Sequence, residues 1–182
     1  MRKNMPVILL CGESGCGKTT IAEKLETFGI KQNRSYTTRP RRYPTEDNHE
    51  FVTDDEFDKL TNIVATTNFA GHRYATTIEQ VDICDVLVLD VNGIEYFKSH
   101  YQGIKKPYVI YIKTSEKERI RRMAARQNLE EAQKRIEHDK IAFKDVEDIA
   151  DFVLINEKRD DINYILDFCN SIWFYGGGYA KG

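Results

Sequence analysis

The feature that most constrains this chain is a glycine-rich motif near its start. Residues 12–19 read GESGCGKT, a full match to the pattern G-x-x-x-x-G-K-[ST]. The motif follows the apolar run 6–11 (PVILLC), which predicts a short buried strand, and precedes a segment at about 18–28 that predicts a helix. Glycines let the backbone curl so that several N–H groups converge, and a helix start adds positive potential. The motif therefore predicts a phosphate-binding loop.

Two side chains of this motif carry specific chemistry in loops of this kind. The Lys18 ammonium would reach the β- and γ-phosphates of a nucleotide, and the Thr19 hydroxyl would provide one ligand of Mg²⁺. An ordinary glycine-rich turn with a capping threonine is the alternative, which the agreement of strand, glycines, lysine and threonine disfavours. The nucleotide-binding residues predicted here are Gly12, Ser14, Gly15, Cys16, Gly17, Lys18, Thr19 and Thr20.

Strand and helix patterns alternate along much of the chain. Apolar runs at 85–89, 108–112 and 152–155 predict buried strands. Ser115 with Glu118 predicts the start of a helix that continues through Arg126, and further helices are expected at about 93–101, at about 129–143 and in the apolar stripe 162–173. Such alternation predicts parallel βαβ units in a three-layer α/β domain of the P-loop NTPase type.

The middle of the chain has a different pattern. A strand is expected at 33–36, followed by the polar loop TTRPRRYPTEDNH. Thr53 with Glu56 forms a capping-box pattern, and residues 63–76 predict two strands around Ala70-Gly71. These signals predict a small mixed β/α insertion in the parallel fold.

Composition limits the partners that fit this chain. Lys and Arg number 27 against 29 Asp and Glu, a formal charge of −2, whereas a general nucleic-acid binder is usually strongly basic. No apolar run approaches the ~18–20 residues that span a bilayer, so we expect no membrane segment and a cytoplasmic location. The four cysteines form no CxxC pair, which favours free thiols over zinc or disulfides.

Asp90 directly follows the apolar run 85–89. A carboxylate there can hold Mg²⁺, directly or through water, or bind a substrate donor, while a helix cap is the simpler interpretation. Residues 90–93 also spell DxxG, which alone would suggest a GTPase. The chain contains no NKxD motif for reading guanine, which makes that interpretation weak.

A basic segment follows the predicted strand at 33–36. Residues 35–42 read SYTTRPRR, with three arginines in four positions. The planar guanidinium matches phosphate oxygens two at a time and keeps its charge at any working pH. The segment therefore fits a second phosphorylated substrate, and a solvated charge run fits it equally well.

Together with the phosphate loop, these motifs resemble the guanylate kinase family. The family's S-x-x-TTR-x-x-R segment corresponds to Ser35, Thr37-Thr38-Arg39 and Arg42, with one residue fewer after the serine. Its F-V-T/S strand end corresponds to 51–53, and its G-N-Y-Y-G-T/S hairpin to 71–76 (GHRYAT). Its D-V-Q-G corresponds to 90–93 (DVNG), and an arginine-bearing helix pair and a V-x-N element follow. The resemblance runs collinearly over about 6–170, which is more specific than any single motif.

The resemblance implies roles for individual residues. Arg39, Arg42 and Tyr74 would bind the acceptor phosphate, and Ser35, Thr76 and Asp90 would face the acceptor base. Arg126 and Arg135 would neutralise charge on the transferred phosphoryl group, and Asn156 would lie near the adenine of ATP. His49 stands where the family has a phosphate-binding tyrosine. The resemblance implies one domain over 1–175, with a core at about 1–35 and 82–175, an acceptor segment at 36–81, a lid at 122–135 and a Gly-rich tail at 176–182.

One departure concerns the acceptor base. Where the family has a carboxylate that reads guanine, this chain has Ala65, and Glu46 or Asp47 could replace it. The pair Asn48-His49 and the run Val91-Asn92-Gly93 also resemble ribose 1,5-bisphosphate phosphokinases, which read no base.

The sequence therefore favours ATP- and Mg²⁺-dependent transfer of a phosphoryl group to a small phosphorylated acceptor. A nucleoside monophosphate, GMP or dGMP in particular, is the expected acceptor, with neither nucleic acid nor a membrane as partner. A ribose 1,5-bisphosphate phosphokinase is the first alternative. The second is a non-catalytic guanylate kinase-like interaction module, although such modules have degraded phosphate loops and this loop is intact.

Overall fold

The computed structural model describes residues 5–69, 71–125 and 128–175. Within these residues, eight strands and eight helices follow one another along the chain. The strands are β1 Val7–Cys11, β2 Tyr36–Thr37, β3 Glu50–Phe51, β4 Ile63–Phe69, β5 His72–Thr77, β6 Val86–Val88, β7 Pro107–Lys113 and β8 Phe152–Ile155. The helices are α1 Lys18–Thr27, α2 Asp54–Phe57, α3 Ile78–Ile83, α4 Val91–His100, α5 Glu116–Ala124, α6 Leu129–Ala142, α7 Val146–Ile149 and α8 Asp161–Tyr175.

A four-stranded parallel sheet forms the core, in the order β6-β1-β7-β8. Leu9 of β1 pairs with Leu87 on one side and with Val109 on the other. Side chains alternate between the two faces of β1, and each face packs into its own apolar cluster. Ile8 and Leu10 pack with residues of α1 and α8, whereas Val7, Leu9 and Cys11 pack with residues of α3 and α4. The predicted three-layer α/β fold is therefore confirmed, and the uninterrupted apolar strand follows from burial on both faces.

A second, mixed sheet has the order β3-β2-β5-β4. Strands β4 and β5 form the antiparallel hairpin predicted around Ala70-Gly71, and β2 pairs parallel with β3 and antiparallel with β5. The strand predicted at 33–36 is wrong in position, because β2 contains only Tyr36 and Thr37. Upstream, the Asn33 N–H donates to the Val86 carbonyl of the core sheet, so the chain is passing from one sheet to the other there.

Helix starts follow the capping residues identified in the sequence. The Thr53 hydroxyl accepts the Glu56 N–H at the start of α2, and Ser115 accepts the Glu118 N–H at the start of α5. Helices α5 and α6 pack through Met123, Ala132 and Ile136. Arg126, expected at the end of the first helix of this pair, and the tail 176–182 lie outside the described residues.

All four cysteines are free thiols, as the sequence predicted, and all four are buried. Burial raises the pKa of Cys11, Cys84 and Cys169 to about 12, which keeps these thiols protonated. Of the helices in the described residues, none has the length and apolar character required to cross a membrane.

Candidate functional site

The glycine-rich loop joins the carboxyl end of β1 to the start of α1. Gly12, Gly15 and Gly17 have φ angles of 153°, 82° and 100°, values that residues with a side chain rarely adopt. A Cβ atom on Gly12 would lie 2.6 Å from the Ile112 carbonyl oxygen, and one on Gly15 would lie 2.9 Å from the Arg119 carbonyl oxygen. Conformation and close backbone packing therefore both require glycine at the first two positions.

Replacing Gly12 with Ala is expected to destabilise the fold more than replacing Gly29 with Ala. Both glycines have positive φ, but a Cβ on Gly29 would meet nothing within 4 Å. The added clash at Gly12 should cost about 2 kcal/mol beyond the backbone strain that both variants share. Thermal unfolding of the two variants should then differ by roughly 5 °C, and equal melting temperatures would contradict the packing described for the loop.

The Lys18 ammonium lies over this loop. Its Nζ donates to the carbonyl oxygens of Gly12, at 2.5 Å, and of Glu13, at 3.1 Å. The neighbouring Thr19 side chain is exposed on α1. The loop therefore presents a positive charge, a hydroxyl and the start of a helix on one side, which is a surface suited to phosphate oxygens.

Buried charged side chains of α5 and α6 hold the loop in place. The Arg119 guanidinium of α5 lies 3.5 Å from the Glu13 carboxylate and 3.5 Å from that of Asp139 on α6. Asp139 accepts the Ser14 N–H at 2.7 Å, and the Tyr111 hydroxyl donates to Glu13 at 2.8 Å. Burial, and then the Glu13 carboxylate, raise the pKa of Tyr111, so its hydroxyl keeps the proton that it donates.

One cavity at this site has a volume of about 970 Å³ and is called the loop cavity below. Its wall includes Arg122 of α5 and Arg135 of α6. Asn156 also lines it, and its side-chain N–H donates to the Cys16 carbonyl oxygen at 2.7 Å, so this residue supports the loop directly. The predicted nucleotide residues that line the loop cavity are Ser14, Gly15, Gly17, Lys18, Thr19, Thr20 and Asn156.

A second cavity at this site, of about 360 Å³, includes residues of both sheets in its wall and is called the inter-sheet cavity below. Five of the seven predicted acceptor-binding residues line it, whereas Arg39 and Arg42 do not. Thr19 lines both cavities. The predicted residues in its wall are Ser35, His49, Tyr74, Thr76 and Asp90.

Hydrogen bonds hold several side chains of the inter-sheet cavity in place. Ser35 Oγ lies 2.9 Å from His49 Nδ1, and the His49 ring meets the Tyr74 ring edge-on at 5.6 Å. Burial, and then the Arg39 charge, lower the pKa of His49, which favours a neutral ring near pH 7. Asp90 accepts the Gly93 N–H at 2.7 Å and the Thr67 hydroxyl at 3.3 Å. Asp90 is thus a helix cap that also faces the cavity.

The arginine segment is organised by Glu46, whose side chain is almost fully buried. Arg39 donates to both oxygens of that carboxylate, at 2.8 and 3.3 Å, and the Arg42 N–H donates at 2.6 Å. These bonds hold the pKa of Glu46 at about 2 against the opposing effect of burial. The pKa of Arg39 is raised, chiefly by Glu46 and to a smaller extent by Tyr74, so the Arg39 side chain lies close to this residue of the inter-sheet cavity wall.

Comparison with known proteins agrees with this architecture. The family model AAA_18, described as an AAA domain, matches residues 8–148. The chain belongs to this AAA-domain family. Among solved structures, it is similar to the guanylate kinase from Anaplasma phagocytophilum, with 22% identity, a TM-score of 0.61, and coverage of 94% of this chain and 88% of that chain. No curated protein matches it in sequence. The guanylate kinase-like resemblance is thereby confirmed for the fold of this AAA-domain chain.

Several residues of the site were not identified from the sequence. Arg119 and Asp139 lie on charged helical segments whose local pattern predicts exposure, and their burial depends on contacts with the loop. Glu23 and Glu26 line the inter-sheet cavity together with Arg34. The spacing of the two glutamates along α1 could have identified them. Glu23 lies four residues after Thr19 and Glu26 three residues after Glu23, so all three share one face of the helix.

Proposed function

We propose that this protein transfers the γ-phosphoryl group of ATP to a nucleoside monophosphate, with GMP or dGMP as the acceptor. The observation that carries the proposal is the shared wall of the two cavities, since Thr19 at the phosphate loop lines both. Phosphoryl transfer requires a donor and an acceptor on opposite sides of the transferred group, roughly in line. Two cavities that meet at a phosphate loop supply that arrangement.

The loop cavity is suited to the nucleotide donor. Lys18 and the loop N–H groups would hold the β- and γ-phosphates, while Arg135 would neutralise charge on the group in transfer. Arg126 is proposed for the same task from the resemblance. Asn156 would support the adenine side indirectly, since its amide is bonded to the loop carbonyl of Cys16.

The inter-sheet cavity is suited to the acceptor. Tyr74 and His49 line it beside Arg39, so the acceptor phosphate would lie at this end, with Arg42 nearby. Ser35, Thr76 and Asp90 would face the rest of the acceptor. A phosphate oxygen is already anionic near neutral pH, so transfer needs no general base, and catalysis depends on positioning and charge neutralisation.

Residues suited to Mg²⁺ are present at the junction. The Thr19 hydroxyl and the Asp90 carboxylate line the same cavity and are the hard oxygen ligands that Mg²⁺ prefers. When bound there, the ion would neutralise phosphate charge. Thr19 and Asp90 would orient it, and closure of the acceptor segment 36–81 and the lid 122–135 would exclude water.

Charge in the inter-sheet cavity favours a nucleoside monophosphate over ribose 1,5-bisphosphate. Glu23, Glu26, Asp47 and Asp90 line this cavity. Among the described residues of its wall the one arginine is Arg34, which is paired with Glu26 at 3.0 Å. A second phosphate would meet these carboxylates, which repel it, whereas the N–H groups of a base would find acceptors. The intact phosphate loop likewise disfavours a non-catalytic interaction module.

ADP release from Mg·ATP against a panel of acceptors tests this proposal. The panel contains GMP, dGMP, AMP, CMP, UMP, dTMP, ribose 1,5-bisphosphate and a reaction without acceptor. We expect the fastest release with GMP or dGMP. Release with ribose 1,5-bisphosphate alone, or with none of these compounds while ATP still binds, would contradict the proposed acceptor class.

A further inference from the structure

A carboxylate and a guanidinium meet in the wall of the inter-sheet cavity. Glu26 Oε2 accepts from Arg34 at 3.0 Å, and Glu26 Oε1 accepts the Gln32 N–H at 3.2 Å. The Arg34 carbonyl oxygen accepts the Gln80 side-chain N–H at 2.6 Å, which fixes the backbone on the other side. About 30% of each of the two charged side chains is exposed, so the pair is held in place yet accessible.

The position of the pair fits the end of an acceptor that is distant from the phosphate loop. Thr19, Glu23 and Glu26 line the cavity from one face of α1. Glu26 lies seven positions after Thr19, which corresponds to a rise of about 10 Å along the helix. An acceptor whose phosphate is at the junction would therefore reach Glu26 and Arg34 with its opposite end.

Among the described residues of this cavity wall, strands β4 and β5 contribute hydroxyl groups, from Thr66, Thr67, Tyr74 and Thr76, but no carboxylate. Ala65 of β4 and Ala75 of β5 line the cavity and are both buried, and neither side chain has a polar atom. Asn33, also in the wall, donates its side-chain N–H to the Thr76 hydroxyl at 2.9 Å. The small alanines leave room for a planar ring, and the charged pair lies in the same cavity wall.

The remaining hydrogen-bonding capacity of the pair defines what it can recognise. A carboxylate has about four acceptor positions, and the bonds described occupy two of those on Glu26. A guanidinium has five N–H donors, and the bond to Glu26 uses one of those on Arg34. The pair can thus accept two adjacent donors and donate to an acceptor beside them. Guanine carries N1–H, N2–H₂ and O6 on one edge, whereas adenine offers a single amino group beside N1.

Building on the proposed function, we infer that Glu26 and Arg34 read the guanine edge of the acceptor. Glu26 accepts from N1–H and N2–H₂, and Arg34 donates to O6. This pair then supplies the recognition that a carboxylate at position 65 would otherwise provide. Loss of a contact to buried donors is costly, so the pair determines specificity.

The test compares kcat/KM for GMP, IMP and AMP in the wild-type protein and in Glu26→Gln. IMP lacks only the 2-amino group of GMP. We expect Glu26→Gln to lower kcat/KM for GMP about 10-fold and to bring the GMP-to-IMP ratio close to one, because an amide accepts only one of the two donors. Arg34→Lys, which keeps the charge but loses the planar fork, should lower the GMP-to-AMP ratio.

Glu79→Gln serves as the matched control. Glu79 is an exposed carboxylate on α3, bonded to Asn62, and does not line the inter-sheet cavity. The Glu79→Gln variant should have the same GMP-to-IMP and GMP-to-AMP ratios of kcat/KM as the wild type. A wild type that turns over no nucleoside monophosphate overturns the proposed function, and this inference with it. A wild type that selects GMP, with unchanged ratios in Glu26→Gln and in Arg34→Lys, overturns the inference alone.

Discussion

Replacing Lys18 with Ala is expected to lower kcat by at least ~100-fold, or about 2.7 kcal/mol of transition-state stabilisation. The ammonium lies over the loop through bonds to the Gly12 and Glu13 carbonyl oxygens, where the charge of a transferred phosphoryl group would develop. Lys18→Met keeps most of the side-chain length without the charge and should show a similar loss. Steady-state kinetics at saturating ATP and acceptor measures both effects.

Lys59→Ala provides the control for a lost lysine charge, because Lys59 is exposed and lines none of the cavities described. Its kcat should match that of the wild type. Folding is checked by circular dichroism and by the melting temperature. Folded Lys18 variants that retain turnover close to the wild-type rate would rule out the role assigned to the phosphate loop.

Replacing Arg39 with Ala is expected to raise the KM for the acceptor roughly 10- to 100-fold, with the KM for ATP nearly unchanged. The guanidinium is held by the buried Glu46 carboxylate at 2.8 Å, so it is oriented before the acceptor arrives. Loss of a charge-assisted bond to phosphate accounts for an effect of this size. Arg42→Ala should act in the same direction, because it removes a second guanidinium of the same segment that can bind phosphate, while the backbone N–H of residue 42 still donates to Glu46.

Loss of Arg39 also leaves the buried Glu46 without its main partner, so stability is measured in parallel. Arg39→Lys keeps a positive charge beside Glu46 and should show a smaller rise in acceptor KM in a folded protein. Arg73→Lys is the matched control, since Arg73 pairs with Asp58 at 2.7 Å and lies outside the inter-sheet cavity wall. A rise in the KM for ATP with an unchanged acceptor KM would assign Arg39 to the other substrate.

Local sequence patterns predicted the core of this fold well. The uninterrupted run VILLC is a strand buried on both faces, as its pattern predicted. Thr53 and Ser115 begin helices, as predicted, and each accepts the N–H of the residue three positions later. The loop motif also predicted its backbone conformation, because its glycines permit positive φ angles, and three of them adopt such angles in the structure. In each case the determining contacts lie within a few residues of one another.

The parts that sequence patterns missed depend on contacts between distant residues. Arg119 is buried because it pairs with Glu13 and with Asp139, and no pattern within its own helix reveals this. Glu46 lies in a polar loop and is nonetheless buried among arginine contacts. The strand expected at 33–36 was displaced because Asn33 bonds to Val86 of the other sheet. Where two sheets meet, tertiary contacts override local propensity.

The most direct measurement follows the fate of the phosphoryl group itself. The wild-type protein is incubated with Mg²⁺, GMP and ATP carrying a radioactive γ-phosphate, and the products are separated by chromatography. We expect the label to appear in GDP, with little in inorganic phosphate, because the proposed acceptor would lie in line across the loop from the donor. Label released only as inorganic phosphate, at the same rate with and without GMP, would contradict the proposed function.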